Sequence, residues 1–401
     1  MSRVEATAYT RLPYLVVYQE AVPGAVKDVY GSVGEHIALQ AQLMRGEADS
    51  DTVVISMHQI GSQAYLPIFS GLARQGHHVI CCANRYTNGD FALQTENVLA
   101  DLAACVRDAK QRMGYKKVVL AGWSGGGSLI AGYQAEATDR RITANAAGEP
   151  CSLAQAELPK ADAVMLLAPH RSRHHLLTEF LDPSIVDEQD PGMRDPELYL
   201  FDPARSPKPP FDPAFVARYR SAQVARNRKI TAWVQEQLTA LRAKGQPRAE
   251  RAFIVHGTMA DPRWLDLTMD PNERALGSYI GPPHQANDGL AALARYTSLR
   301  SWLSQWSLDH AQVDAVDAAA RIDVPTLVIV NGADDACPTT HTDAIFNAIR
   351  HRQKQRHVIA GANHYYSGSG QKPCLAKALE HIGAWLRPQG LASAHRSDTA
   401  S

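Results

Sequence analysis

The sequence predicts an α/β protein whose mostly parallel sheet is covered by helices on both faces. Three observations carry that expectation. Short apolar strands alternate with helical segments through the first half, those strands are apolar on both faces, and the same rhythm returns near the C-terminus after a long break.

The first strand reads from Val53, Val54 and Ile55 through Ser56 and Met57 into a polar loop. An amphipathic stretch over 65–74 follows, with Gly76 as its stop. Residues 78–82 make the next strand, in which the adjacent Cys81 and Cys82 should face opposite sides of the sheet. Residues 91–113 read as a long helix, apolar at Val98, Leu102, Cys105, Val106 and Ala109 and ending at Gly114. A strand over 117–121 leads into a glycine-rich turn and a small-residue helix from Ser128, and 163–167 form one more strand.

The rhythm breaks between 170 and 321, where Pro, Arg and Trp are frequent and the periodicity is helical where it exists. Ile230, Trp233, Val234, Leu238 and Leu241 mark one amphipathic helix; Leu299, Trp302, Leu303 and Trp306 mark another. The sheet pattern resumes over 324–330, with a helix over 343–349, a strand over 357–359 and a last helix over 375–385. The expected organisation is therefore an α/β core over 1–169 and 322–388, an inserted helical cap over 170–321, and a disordered tail over 389–401.

Composition narrows the classes of function. Forty-one Lys and Arg balance 41 Asp and Glu, so no net field draws the 401-residue chain to nucleic acid or an anionic membrane. Residues 1–12 lack the order of a secretory signal, and no apolar run reaches the roughly 20 residues that span a bilayer. The six cysteines, Cys81, Cys82, Cys105, Cys151, Cys337 and Cys374, show no CxxC spacing and read as buried thiols of a reducing compartment. The expectation is a cytoplasmic protein acting on a small molecule, as a monomer or a homodimer.

The sharpest chemical signal is Gly122-Trp123-Ser124-Gly125-Gly126, a G-x-S-x-G set directly between a strand and a helix. A serine on so tight a turn takes a strained backbone conformation, and glycines two residues away on each side leave it room. The turn also sets the hydroxyl at a helix N-terminus, which favours developing negative charge. No Gly-Lys-Ser/Thr follows, so a phosphate loop is not indicated.

A serine needs a base, and the base an orienting acid. Downstream, Val324-Pro325-Thr326 opens an apolar strand that ends in Asn331-Gly332-Ala333-Asp334-Asp335-Ala336-Cys337-Pro338, and the next strand ends in Gly361-Ala362-Asn363-His364. With the serine turn, these segments resemble the α/β-hydrolase superfamily over about 25–170 and 321–388. The resemblance implies an eight-stranded sheet with a lid inserted after the sixth strand. It implies Ser124 as nucleophile, His364 as base, and Asp335, three residues after Gly332, as the acid, with Asp334 its neighbouring alternative.

It also implies an oxyanion hole built from the backbone N–H of Gly125 and that of Gln59 or Ile60, in a loop 57–62 similar to the family's His-Gly-x-x-Gly but with Gln59 in place of Gly. His58 braces that loop, and His58, Trp123, Trp302 and Trp306 are candidates for contact with substrate.

Other residues invite different readings. His256 reads as structural or substrate-lining. His170, His174 and His175 read as solvated loop histidines, since no carboxylate or cysteine pattern accompanies them as a metal site requires. Nine Arg and Lys against Glu236 and Glu250 over 218–251 form a solvated helix face or steer a carboxylate-bearing substrate. The expected activity is ester hydrolysis of an apolar or aromatic substrate, without metal or organic cofactor. Cleavage of a diketone C–C bond, an amide or a thioester would use the same triad, and a non-catalytic ligand-binding protein is the alternative of another class. Cofactor-free peroxidase chemistry also shares the triad, whereas dehalogenases and epoxide hydrolases place an aspartate where Ser124 stands.

Overall fold

A computed structural model describes residues 8–20, 35–87, 89–204, 207–290 and 293–392. Its centre is an eight-stranded sheet built from β1 (Thr10–Gln19), β2 (His36–Arg45), β3 (Thr52–Ser56), β4 (His78–Cys82), β5 (Lys117–Trp123), β6 (Ala163–Leu167), β9 (Thr326–Asn331) and β10 (Lys354–Ile359). The spatial order is β1-β2-β4-β3-β5-β6-β9-β10. From β4 to β10 neighbours are parallel, while β2 runs antiparallel to both β1 and β4.

The central strands β3 to β6 and β9 are buried on both faces, apart from half-buried Lys117, which explains their unbroken apolar runs. Alternate residues feed two separate cores. Val53, Ile55, Val118, Leu120, Val164 and Leu166 pack beneath α2 (Thr95–Gln111) and α3 (Gly125–Thr138). Val54, Val119, Ala121, Met165 and Ile329 pack beneath α1 (Pro67–Arg74) and α10 (Gln371–Leu386). Cys82 joins the first core and Cys81 the second, and all six cysteines are free thiols.

The β1–β2 pair was not foreseen. β2 buries every second residue, so a half-exposed strand containing Gln40 and Gln42 carries a weaker apolar signal than its neighbours. The helix expected from Ser128 begins earlier, at Gly125, with Ser124 as its N-cap.

Between β6 and β9 the chain forms α4 (Arg173–Phe180), α5 (Pro213–Ala243), the two-stranded pair β7 (Ala252–Ile254) and β8 (Tyr296–Ser298), α6 (Pro283–Asp288), α7 (Leu299–Gln305) and α8 (Ala315–Ala319). After β9 comes α9 (Thr339–Ala348). Trp302 and Trp306 stack face to face, 5.1 Å between centroids, inside a cluster with Ile230, Val234 and Leu238.

The tail expected from 389 onward falls mainly on 393–401, outside the described residues; Leu391, within it, is buried against the α10 side of the sheet. No helix among the described residues is long and apolar enough to cross a membrane.

Candidate active site

The strand ends converge where the sequence placed its motifs. Ser124 has φ 55° and ψ −125°, a left-handed conformation that L side chains rarely adopt. The flanking glycines are sterically required: a Cβ on Gly122 would lie 2.1 Å from the carbonyl oxygen of Gly126, and one on Gly126 2.7 Å from that of Met57. Bulkier residues would push α3 away from the sheet and lower the hydroxyl from its perch.

The Ser124 Oγ lies 3.1 Å from Nε2 of His364, whose Nδ1 lies 2.9 Å from Oδ2 of Asp334. The carboxylate on the imidazole is thus Asp334's, not the Asp335 expected from the Gly332 spacing. The cause is the turn itself. Backbone bonds extend the β9 ladder through Gly332 and Ala333, and the Asp334 N–H closes back on the Asn331 carbonyl. Asp334 Oδ1 then accepts the N–H groups of Ala336 and Cys337, both at 2.8 Å, leaving Oδ2 for His364. Asp335 instead offers its carbonyl to the indole N–H of Trp264, and its carboxyl is pushed up by burial and by the Asp334 charge.

His364 is held through its own backbone. The Trp123 indole N–H donates to the His364 carbonyl at 3.0 Å, and its ring lies 4.4 Å from the imidazole. Asn331 donates to the Asn363 carbonyl and accepts from the Tyr366 hydroxyl. Residues from the β6–β9 segment also brace these loops: Asn272 Nδ2 donates to the Asp334 carbonyl at 2.7 Å, and the Glu273 carboxylate takes the Gly361 N–H. Cys337 was not foreseen as part of the site; its Sγ lies 3.6 Å from Ser124 Oγ, and burial pushes the thiol far up.

The 57–62 loop stands on the other side of Ser124. Asn84 Nδ2 donates to the carbonyls of both His58 and Gln59 at 2.7 Å. The Ile60 carbonyl and N–H both lie 3.0 Å from His58 Nδ1, so the ring is fixed on Ile60 in either tautomer and the Ile60 N–H is turned toward it. This occupies one of the two amides considered for the oxyanion and leaves that of Gln59. Burial, aided by the Arg173 charge, pushes His58 down to about 3, so its ring is neutral.

A cavity of about 260 Å³ opens over Ser124 and His364. The core supplies His58, Tyr65, Trp123 and Tyr365 to its walls, and the β6–β9 segment supplies His170, Arg173, Leu176, Leu177, Tyr279 and Leu293. Trp302 and Trp306, expected near the substrate, are fully buried away from it; the Trp302 indole N–H donates to Thr231. His256 does not line it either. Tyr279 sits in a stretch without strand or helix periodicity and Tyr65 at the start of the amphipathic stretch over 65–74, and no sequence signal marked either for the cavity.

The remaining histidines also differ from expectation. His170 and His174 are buried, and His174 and His175 lie on α4 rather than in a loop. A carboxylate does join them, Asp314, far away in sequence, so that a cation could be held by these three side chains. Arg171 already occupies that carboxylate, its Nε donating to Oδ2 at 2.7 Å. In the second such group, Asp334, Cys337 and His364, the carboxylate oxygen is engaged by the imidazole.

The basic run of α5 proves to be largely ion-paired within the chain: Arg218 with Glu197, Arg220 with Asp261, Arg226 with Glu188, Arg228 with Asp309 and Arg242 with Glu149.

No family model matches this chain, and neither does any curated protein sequence. Solved structures do. The α/β hydrolase GrgF from Penicillium sp. sh18 is similar over 94% of this chain and 99% of its own, with 12% identity and a TM-score of 0.50. The siderophore hydrolase EstB from Aspergillus fumigatus is similar over 88% of this chain and 94% of its own, with 13% identity and a TM-score of 0.49. Sheet order, strand directions and the GrgF likeness define an α/β-hydrolase fold.

Proposed function

We propose that this protein is a serine hydrolase that cleaves carboxylic esters of small acyl chains through an acyl-enzyme on Ser124. The observation that carries the reading is the unbroken relay from Ser124 Oγ to His364 to Asp334, at 3.1 Å and 2.9 Å, opening on a cavity.

In this mechanism His364 Nε2 takes the serine proton as Oγ attacks the ester carbonyl. Asp334 holds the proton on Nδ1 and stabilises the imidazolium that forms. The amides of Gly125 and Gln59 take the charge of the tetrahedral oxygen, Gly125 at the first turn of α3 where no carbonyl of its own helix reaches the N–H. The imidazolium returns its proton to the leaving alkoxide, and water repeats the cycle on the acyl-enzyme. A cavity of about 260 Å³ suits a short acyl group better than a long fatty chain.

The test is hydrolysis of p-nitrophenyl esters from acetyl to palmitoyl, with Ser124→Ala beside the wild type. Expected is turnover on short chains that vanishes in the variant, together with fluorophosphonate labelling that vanishes likewise. Folded protein that neither turns over nor labels overturns the reading and favours a ligand-binding role.

A further inference from the structure

We propose that the substrate carries a second, ionised carboxylate, held by Arg173 beside the scissile ester. Arg173 is the first residue of α4 and forms part of the wall of the cavity that contains Ser124 and His364. It is only 8% exposed, an expensive position for a guanidinium unless its donors are used.

They are mostly unused. Nη2 donates to Asp90 Oδ2 at 3.0 Å, while the buried Nε finds no acceptor among the described residues. Asp90 is itself anchored, its carbonyl accepting from Gln305 and Ser301 of α7, so Arg173 is held at a set place rather than free to swing out.

The neighbouring groups add donors of the same kind. His58 Nε2 and His170 Nε2 lie 3.0 Å, and the Gln59 side-chain oxygen 2.8 Å, from the point where a Cβ on Gly125 would stand, so both rings and one acceptor flank the serine turn. His58 is fixed on Ile60 through Nδ1, which leaves Nε2 facing the turn, and the opposite nitrogen of His170, Nδ1, is buried without a partner among the described residues. Burial and the Arg173 charge keep both rings neutral, and in the tautomer protonated at Nε2 each donates to an anion without itself bringing charge. A simple fatty ester would leave the Arg173 donors unanswered, and the loss falls on a desolvated group. A planar carboxylate answers the guanidinium fork with paired hydrogen bonds. Leu176, Leu177 and Leu293 line other parts of the same cavity and suit an aliphatic spacer. The substrate class is therefore the half-ester of a short dicarboxylic acid.

The inference rests on the hydrolase reading of Ser124, and its test keeps the two apart. Monomethyl glutarate and methyl valerate, matched in chain length, are compared by methanol release from the full chain. Expected is a higher kcat/KM for the half-ester, with the half-ester to neutral-ester ratio falling roughly ten- to hundredfold in Arg173→Gln. Equal kcat/KM in the wild type, or an unchanged ratio in the variant, overturns the proposal. Should Arg173→Gln fail to fold, wild-type protein decides: glutarate should slow fluorophosphonate labelling of Ser124 and glutaramide should not, and equal effects overturn the proposal. Should neither these esters nor the p-nitrophenyl series be cleaved and no labelling occur, the hydrolase reading fails, and calorimetry of glutarate on Ser124→Ala still tests the anion subsite. Saturable binding that Arg173→Gln abolishes supports it; no binding overturns it.

Discussion

The sheet and the segment between β6 and β9 are held together by different forces, and the site draws on both. The sheet is an apolar object, with strands whose successive residues enter cores on opposite faces. The β6–β9 segment has smaller apolar clusters laced by buried and half-buried arginines: Arg263 and Arg220 on Asp261, Arg226 on Glu188, Arg194 on Asp182. The sheet carries Ser124, Asp334 and His364, and the other segment adds Arg173, Leu176, Leu177 and Tyr279 to the cavity wall; on the proposed reading the first set does the chemistry and the second selects among substrates. Reactive groups stand on rigid strand ends, and the walls that choose a substrate belong to the part built by more changeable means.

This division can be broken most sharply at the acid. Asp334→Asn should lower kcat by about 10⁴, because the imidazole loses its tautomer, whereas Asp335→Asn should stay within about tenfold. Steady-state kinetics on a p-nitrophenyl ester decides, and the opposite ranking would return the role to Asp335.

The next effect is on stability. Asp261 is buried and receives both Arg220 and Arg263, so Asp261→Ala should cost roughly 3–5 kcal/mol, comparable with roughly 2–5 kcal/mol for Leu120→Ala in the sheet. A loss below about 1 kcal/mol in urea unfolding would show that the pairs behave as surface ones.

Acid should act on the same contrast. His58 and His174 are buried and held down at about 3, below the ordinary imidazole value. Each unfolded histidine therefore binds a proton that the folded one refuses. The stability these neutral rings contribute is complete above about pH 6.5 and falls as pH drops toward 3, by at most about 1.4 kcal/mol per pH unit for each ring. His174→Gln, outside the cavity, should flatten the slope measured by urea titrations between pH 6.5 and 5; an unchanged slope would mean that His174 accepts protons freely when folded.

The smallest effect is on the wall. Leu177→Ala should move the preferred acyl chain to a longer one by several-fold to about tenfold in kcat/KM ratio, with the triad intact.

Legibility follows the same divide. Strands buried on both faces announce themselves by composition, so β4 and β6 match the sequence reading residue for residue and β3, β5 and β9 nearly so. Ser124 and His364 were legible because a strained turn and a strand-end loop constrain local residue types. The choice between adjacent aspartates was not, because it depends on which carboxylate folds back onto the amides of Ala336 and Cys337. Nor were Arg173, His170 and Tyr279: they reach the cavity through tertiary packing of a segment without a strand rhythm. The tryptophan pair misled for a related reason, since an aromatic at helical spacing fits a core as well as a pocket, and here Trp302 and Trp306 make the core.

Trp123 sits in the nucleophile turn with its ring against His364 and its N–H on that residue's carbonyl. That contact is also an optical one. An imidazolium quenches a neighbouring indole, so the emission difference between the wild type and His364→Gln should report, without any substrate, whether His364 is carrying a proton.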